Sequence, residues 1–117
     1  MPKIIKTNNG AIEVSLQDSD FATSNKLRAI FTKSVKKQGY KLEELGNVET
    51  IEVLDCNEEL QEILFKCLER CTYDGVRITK ETFEPISARQ DYYEIMLACL
   101  GINYDPFFKA PALSSKD

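Results

Sequence analysis

Four cysteines, Cys56, Cys67, Cys71 and Cys99, are the residues of this chain that could ligate a metal or form disulfides. The chain contains no histidine, which is the commonest zinc ligand and the usual general base near neutral pH. A structural zinc site favours Cys-x-x-Cys turns, whereas Cys67 and Cys71 stand four apart, a spacing that places both on the inward face of one helix. Because free cysteine is among the most buried residue types, we predict buried thiols, no metal and no other cofactor. A redox or nucleophilic thiol at Cys67 or Cys71 is the alternative from the enzyme class.

The other residue types that serve in catalysis form no converging pattern. The five glycines are scattered along the chain, so they cannot form a phosphate-binding loop. Neighbouring acids such as Glu58 and Glu59 point to different faces of a helix and are typical of a solvated first turn. No catalytic residue is assigned, and the chain is predicted not to be an enzyme.

Length and composition favour one domain. A chain of 117 residues that is 43% apolar and 29% charged can bury one core, and we predict a β-hairpin at 1–17, a helical body at 20–104 and a C-terminal tail at 105–117. Residues 1–15 lack the apolar core of a signal peptide, and no apolar run is long enough to cross a bilayer. With free thiols and no export signal, we expect a reducing cytoplasm and no membrane partner.

Hydrophobic periodicity predicts a mainly α fold, with three to four helices and a short N-terminal β-hairpin. The hairpin is expected at Lys3–Leu16, with Asn8-Asn9-Gly10 supplying the positive φ angles of a tight turn. Apolar residues recur at helical spacing over 23–38, 57–71 and 88–103. Asp20, Thr23 or Ser24 is expected to cap the first helix, Asp55 with Glu58 the second, and Ser87 with Gln90 the last. The last is apolar almost all round, so it must be central to the core or covered by a partner. The pattern over 41–53 is weak and indicates only a helical turn or loop.

Aromatic residues gather near the C-terminus. Phe107 and Phe108 are adjacent, so both cannot point easily into one core pocket, and we predict that one of them contacts another molecule. Tyr104 joins them as a candidate contact residue, with Tyr92 and Tyr93 as weaker candidates. The alternative is that both phenylalanines fold back over the last helix as a lid on the core.

Charge is distributed unevenly. Residues 1–41 hold eight Lys/Arg against three acids, whereas residues 42–117 hold seven against sixteen. We interpret the basic residues at 26–37 as a solvated helix face, because no aromatic platform accompanies them. A small nucleic-acid-binding regulator that uses this basic helix is the alternative function, disfavoured by the acidic pI of about 4.9. The same asymmetry would support contacts between copies, and this hypothesis of a homo-oligomer predicts salt-sensitive self-association.

The C-terminal half resembles the tail assembly chaperones of long-tailed bacteriophages over about residues 55 to 110. The motifs that carry the resemblance are the segment 64–75, Ile78-Thr79, Phe83, the helix containing 91–97, and the ending Asn103-Tyr-Asp-Pro-Phe-Phe108. The N-terminal third contributes little beyond a Leu/Lys-rich helix.

The resemblance implies a non-enzymatic function in the host cell cytoplasm. In that family the chaperone coats the tape measure protein before the tail tube polymerises around it, and it is absent from the mature virion. A longer, frameshifted form often recruits tail tube subunits, and this chain would correspond to the short form. A helix-in-groove contact with the tape measure protein is compatible with the apolar surface predicted here.

Overall fold

A computed structural model describes residues 3–109, except for the side chains of Phe108 and Lys109. The chain begins with two antiparallel strands, β1 (Lys3–Lys6) and β2 (Glu13–Leu16), in which Lys3 pairs with Leu16. Val14 and Leu16 of β2 are fully buried, which confirms the alternation seen in the sequence. No helix of the described part is long and apolar enough to cross a membrane.

The turn between β1 and β2 differs from the predicted one. Gly10 has no positive φ, and the left-handed residue is Ala11, at φ 52°. The reason is that the loop is longer than an Asn-Gly turn: the Thr7 amide donates to the Ile12 carbonyl, leaving four residues to close the hairpin. Asn8 and Asn9 face helices instead, with the Asn8 amide 2.9 Å from the Glu94 carboxylate and the Asn9 side-chain amide 2.8 Å from the Gln90 carbonyl.

Helix α1 (Phe21–Lys37) follows the predicted stripe. Leu27, Phe31 and Val35 are buried. Asp20 is the N-cap and accepts from the Thr23 amide at 3.0 Å, and hydrogen bonds from Thr23 lower the pKa of Asp20. Gly39, at φ 85°, follows the helix end as the sequence indicated.

The region with the weak hydrophobic pattern, residues 41–53, contains a 3-10 turn at Leu42–Glu44 and the start of a helix, α2 (Asn47–Asp55). The expectation of only a turn or loop at 41–53 is therefore wrong. Helix α3 (Glu58–Cys67) comes next and ends in a 3-10 turn at Leu68–Arg70. Its cap is Asn57, which accepts from the Leu60 amide at 2.9 Å. The predicted cap, Asp55, belongs to α2 because a single residue separates α2 from the cap of α3.

The sheet is larger than the predicted hairpin. Two short strands, β3 (Thr72–Tyr73) and β4 (Val76–Arg77), extend it to four strands in the order β1-β2-β3-β4. Asp74 and Gly75, at φ 54° and 84°, form the tight turn between them. The mainly α prediction is confirmed, and its β component was underestimated.

The C-terminal helices pack across the middle of the fold. The predicted helix at 88–103 is broken into α4 (Ile86–Arg89) and α5 (Tyr92–Tyr104), so the Ser87 cap is wrong. The Asp91 side chain turns at the break to accept from the Tyr73 hydroxyl at 2.7 Å. Helix α5 contacts α1, α2, α3 and β2, which explains its apolar circumference. Asp105 keeps helical torsions despite the following proline, and a last turn, α6 (Pro106–Lys109), continues from it.

Candidate protein-binding surface

A buried amide fixes the C-terminal end of α5 against the start of α1. Asn103 is 1% exposed, and its Oδ1 accepts from the Ser19 amide at 2.7 Å and from the Ser24 hydroxyl at 2.9 Å. Its Nδ2 donates to the Cys99 carbonyl at 2.8 Å. Nδ2 also lies 3.6 Å from the Cys99 sulfur, so the donors and the acceptor of this side chain are all used, which orients the end of α5 relative to α1.

The residues that follow α5 form an aromatic patch with the start of α1. Phe107 lies with its ring centroid 6.1 Å from that of Phe21, and the Arg28 guanidinium lies 5.5 Å from the Phe107 ring centre. Phe21 is 73% exposed. A shallow hollow of about 280 Å³ lies between the start of α1 and residues 102–107, and its apolar lining comes from Phe21, Ile102, Pro106 and Phe107. We call these four residues the aromatic patch.

The other predicted contact residues have different surroundings. Tyr104 is half-buried and meets Phe31 edge-on, with ring centroids 5.2 Å apart. The Phe108 side chain lies outside the described residues. Tyr92 belongs to a separate cluster, 5.1 Å from Phe83 and 5.3 Å from Tyr93 between ring centroids. Among the predicted contact residues whose side chains the structure describes, Phe107 alone lies in the aromatic patch.

Tyr93 is the one member of the Tyr92 cluster with a substantially exposed ring, at 38%. Its hydroxyl donates to the Asp55 carboxylate at 2.7 Å, and this hydrogen bond raises the pKa of Tyr93 to about 12. Tyr93 therefore joins α5 to the end of α2.

Comparison with known families matches the chain to a model described as phage tail assembly chaperone protein, over residues 56–115. That region is just over half of the chain and contains α3, the β3–β4 hairpin and all of α5. The chain belongs to the phage tail assembly chaperone family. Searches of curated proteins and of solved structures gave no match.

The chaperone's cysteines divide into three buried thiols and one exposed thiol. Cys67, Cys71 and Cys99 are at most 1% exposed, whereas Cys56 is exposed. Burial raises the pKa of Cys71, and the hydrogen bond to the Cys67 sulfur together with burial raises the pKa of Cys99 well above its ordinary value. Within residues 3–109, no group of side chains could hold a metal ion. The hydrogen bond with Cys99 lowers the pKa of Cys67, but the Cys67 side chain is fully buried. Because a reagent or substrate cannot reach a buried sulfur, the surroundings of these three thiols favour packing over reactivity.

Three residues of the chaperone's aromatic patch, Phe21, Ile102 and Pro106, were not predicted as contact residues, and Phe21 is the aromatic one. It follows the Asp20 cap directly and lies outside the buried stripe of α1. A signal was present in the spacing: Phe21 and Arg28 are seven residues apart, so they share one face of the helix. Only the folded chain brings Phe107 to that face.

Proposed function

We propose that this chain binds the phage tape measure protein through the aromatic patch and assists assembly of the tail tube around it, without catalysing a reaction. Membership of the tail assembly chaperone family supports the general function. The observation that carries the site is the exposed Phe21 ring beside Phe107, over a hollow whose apolar lining continues into Ile102 and Pro106. An exposed phenylalanine ring packed beside a half-buried one is the kind of apolar surface that is typical of a protein contact.

Chemically, the patch suits an apolar side chain entering from a helical partner. Covering a phenylalanine that is mostly exposed contributes about 2 kcal/mol, equivalent to roughly 30-fold in affinity. Because one patch is small, the chain would bind a long tape measure protein weakly at each position. Many copies along one partner would then raise the overall avidity.

The experiment is co-purification with a tape measure fragment. We expect Phe21→Ser with Phe107→Ser to abolish capture, and Phe21→Ser alone to weaken it about 30-fold. Phe21→Ser should change the free energy of unfolding by less than about 1 kcal/mol, since the side chain is largely exposed. Ile86→Ser is the matched control, because Ile86 is 72% exposed and does not line the hollow. Equal loss in the control, or undiminished capture by the double variant, would refute the site.

We also propose that a frameshifted longer form contacts tail tube subunits, which extends the expectation from the family resemblance. Membership of the tail assembly chaperone family supports this proposal. Mass spectrometry of chaperone purified from infected cells tests it, with two products sharing their first residues as the expected result. One product at all times of infection would contradict it.

A further inference from the structure

A groove runs along the surface between α1 and α3, away from the aromatic patch. Two hollows, of about 610 and 320 Å³, meet at Ile30 and Glu59 and make it continuous. The groove and the hollow at the aromatic patch share no lining residue. Its apolar floor comes from both helices and from the chain after β4, through Ile30, Ile63, Phe65 and Ile78.

The two helices that form the groove run antiparallel. Asn57, the cap of α3, donates to the Ser34 hydroxyl near the end of α1 at 2.6 Å. The lining residues of α1 extend from Lys26 to Lys37, which is a length of about 16 Å at 1.5 Å per residue. A docked helix of about three turns would fill that length.

Positive charge follows the α1 side of the groove. Lys26, Lys33 and Lys37 recur at seven and four residues, which places them along one face of α1. In the described part of the chain, none of the three forms an ion pair. Their ammonium groups are therefore available to carboxylates of a partner.

The α3 side carries mixed charge, and this decides between two kinds of anionic partner. Glu59 and Glu69 line the groove beside Lys66, and Glu62 is already paired with Lys80 at 2.7 Å. A phosphodiester chain in the groove would meet these carboxylates and an apolar floor, both of which oppose it. A helix with an apolar stripe would instead cover the floor and place acidic residues only on the α1 side.

We propose that the α1–α3 groove is a docking site for an amphipathic α-helix that carries an apolar stripe and an acidic edge, with the acidic edge along α1. The apolar stripe covers the floor between Ile30 and Ile63, and the acidic edge pairs with Lys26, Lys33 and Lys37. This site goes beyond the tape measure proposal and does not depend on it. It also gives the basic residues of 26–37 a protein partner in place of nucleic acid.

Stapled helical peptides of about 15 residues test the proposal by fluorescence anisotropy. One peptide has leucines at positions i, i+3, i+4 and i+7 and glutamates along one edge, and the second has glutamine in place of each glutamate. We expect the glutamate peptide to bind about tenfold more tightly at low salt, and the difference to vanish near 1 M salt because exposed charges are screened. Equal binding of the two peptides, or none by the glutamate peptide, would overturn the proposal.

Paired variants separate the groove from general charge. Lys33→Gln with Lys37→Gln should weaken the glutamate peptide about tenfold and leave the glutamine peptide unchanged. Lys36→Gln with Lys41→Gln is the matched control, since it makes the same change in net charge without altering a groove residue. If both double variants lost the same affinity for the glutamate peptide, the attraction would be long-range only, and the assignment of the site to the groove would be overturned.

Other occupants give different results. Random duplex DNA that displaces the glutamate peptide and binds more tightly would assign the groove to nucleic acid. Self-association that the Lys33 and Lys37 changes abolish, without peptide binding, would assign it to a second copy of the chain. Either result overturns the proposal. Phe21→Ser with Phe107→Ser should leave peptide binding intact, so failure of the aromatic patch and failure of the groove are distinguishable.

Discussion

Replacing Asn103 with leucine should destabilise the fold more than any exposed change considered above. Leucine branches at Cγ as asparagine does but is larger, so the substitution removes hydrogen-bonding atoms without opening a cavity, and any crowding in this buried site adds to the loss of stability. The Ser19 amide at 2.7 Å and the Ser24 hydroxyl at 2.9 Å both lose their acceptor. The Cys99 carbonyl loses one donor of two, because it also accepts within the helix.

The magnitude follows from the two donors. An amide N–H left without a partner in a partly buried site costs about 2 kcal/mol. Loss of the acceptor of the Ser24 hydroxyl costs only about 1 kcal/mol, because this hydroxyl can rotate towards a carbonyl in the preceding turn of the chain. The free energy of unfolding of Asn103→Leu should therefore fall by about 3 kcal/mol. For a chain of this size the melting temperature would fall by roughly 12 °C.

Urea denaturation followed by far-UV circular dichroism measures the change, with the slope against urea expected to be unaltered. Ser24→Ala supplies the control. Alone, it should lower the free energy of unfolding by about 1 kcal/mol. In the Asn103→Leu background it should change that free energy very little, because the Ser24 hydroxyl has already lost its acceptor. If the two changes were additive, or if Asn103→Leu cost less than about 1 kcal/mol, the hydrogen-bonded junction between α5 and α1 would not stabilise the fold as argued.

Two further predictions concern Tyr73 and the thiols. Burial and the hydrogen bond to Asp91 raise the pKa of Tyr73 to about 12, above the value of about 10 for an unfolded tyrosine. The contribution of the protonated Tyr73 to the free energy of unfolding is therefore fully present below about pH 10 and is lost as pH rises through 12. Tyr73→Phe removes this donor from the buried Asp91 carboxylate, whose other oxygen has no partner in the described structure. We expect the free energy of unfolding to fall by about 2 kcal/mol at pH 7 and to decline less than that of the unmodified chain at alkaline pH. Denaturation at a series of pH values measures both effects. Under native conditions a thiol reagent should modify Cys56 rapidly and the buried thiols only after unfolding; a second fast thiol would contradict their burial.

Helices with a strong apolar stripe were predictable from sequence. Leu27, Phe31 and Val35 lie at helical spacing and are all buried, so the period alone indicates α1. Helix α2 was not predicted because the sequence shows no apolar stripe there. The helix buries only Val53 and Leu54, whereas Val48 is 68% exposed. Its stability comes from packing against neighbours, which no local pattern reports.

Short strands and helix breaks depend on distant residues. The strand at Thr72–Tyr73 is two residues long and is stabilised by antiparallel pairing with β2, which is distant in the sequence. At the break before α5, Asp91 accepts a hydrogen bond from the Tyr73 hydroxyl, eighteen residues away, and no local pattern reports that contact. The candidate site shows the same limit: Phe107 was found as an aromatic residue near the terminus, whereas Phe21 acquires its neighbour only through the fold.

The contacts that close the molecule join its first residues to its last helices. The Asn8 amide reaches Glu94, and the Ser19 amide reaches Asn103, across separations of 86 and 84 residues. A ribosome must therefore have released the sequence through α5 before the N-terminal strands and the start of α1 find their final partners. Until α5 has been synthesised, the apolar faces of the nascent polypeptide lack these partners, and this is the interval in which aggregation threatens it.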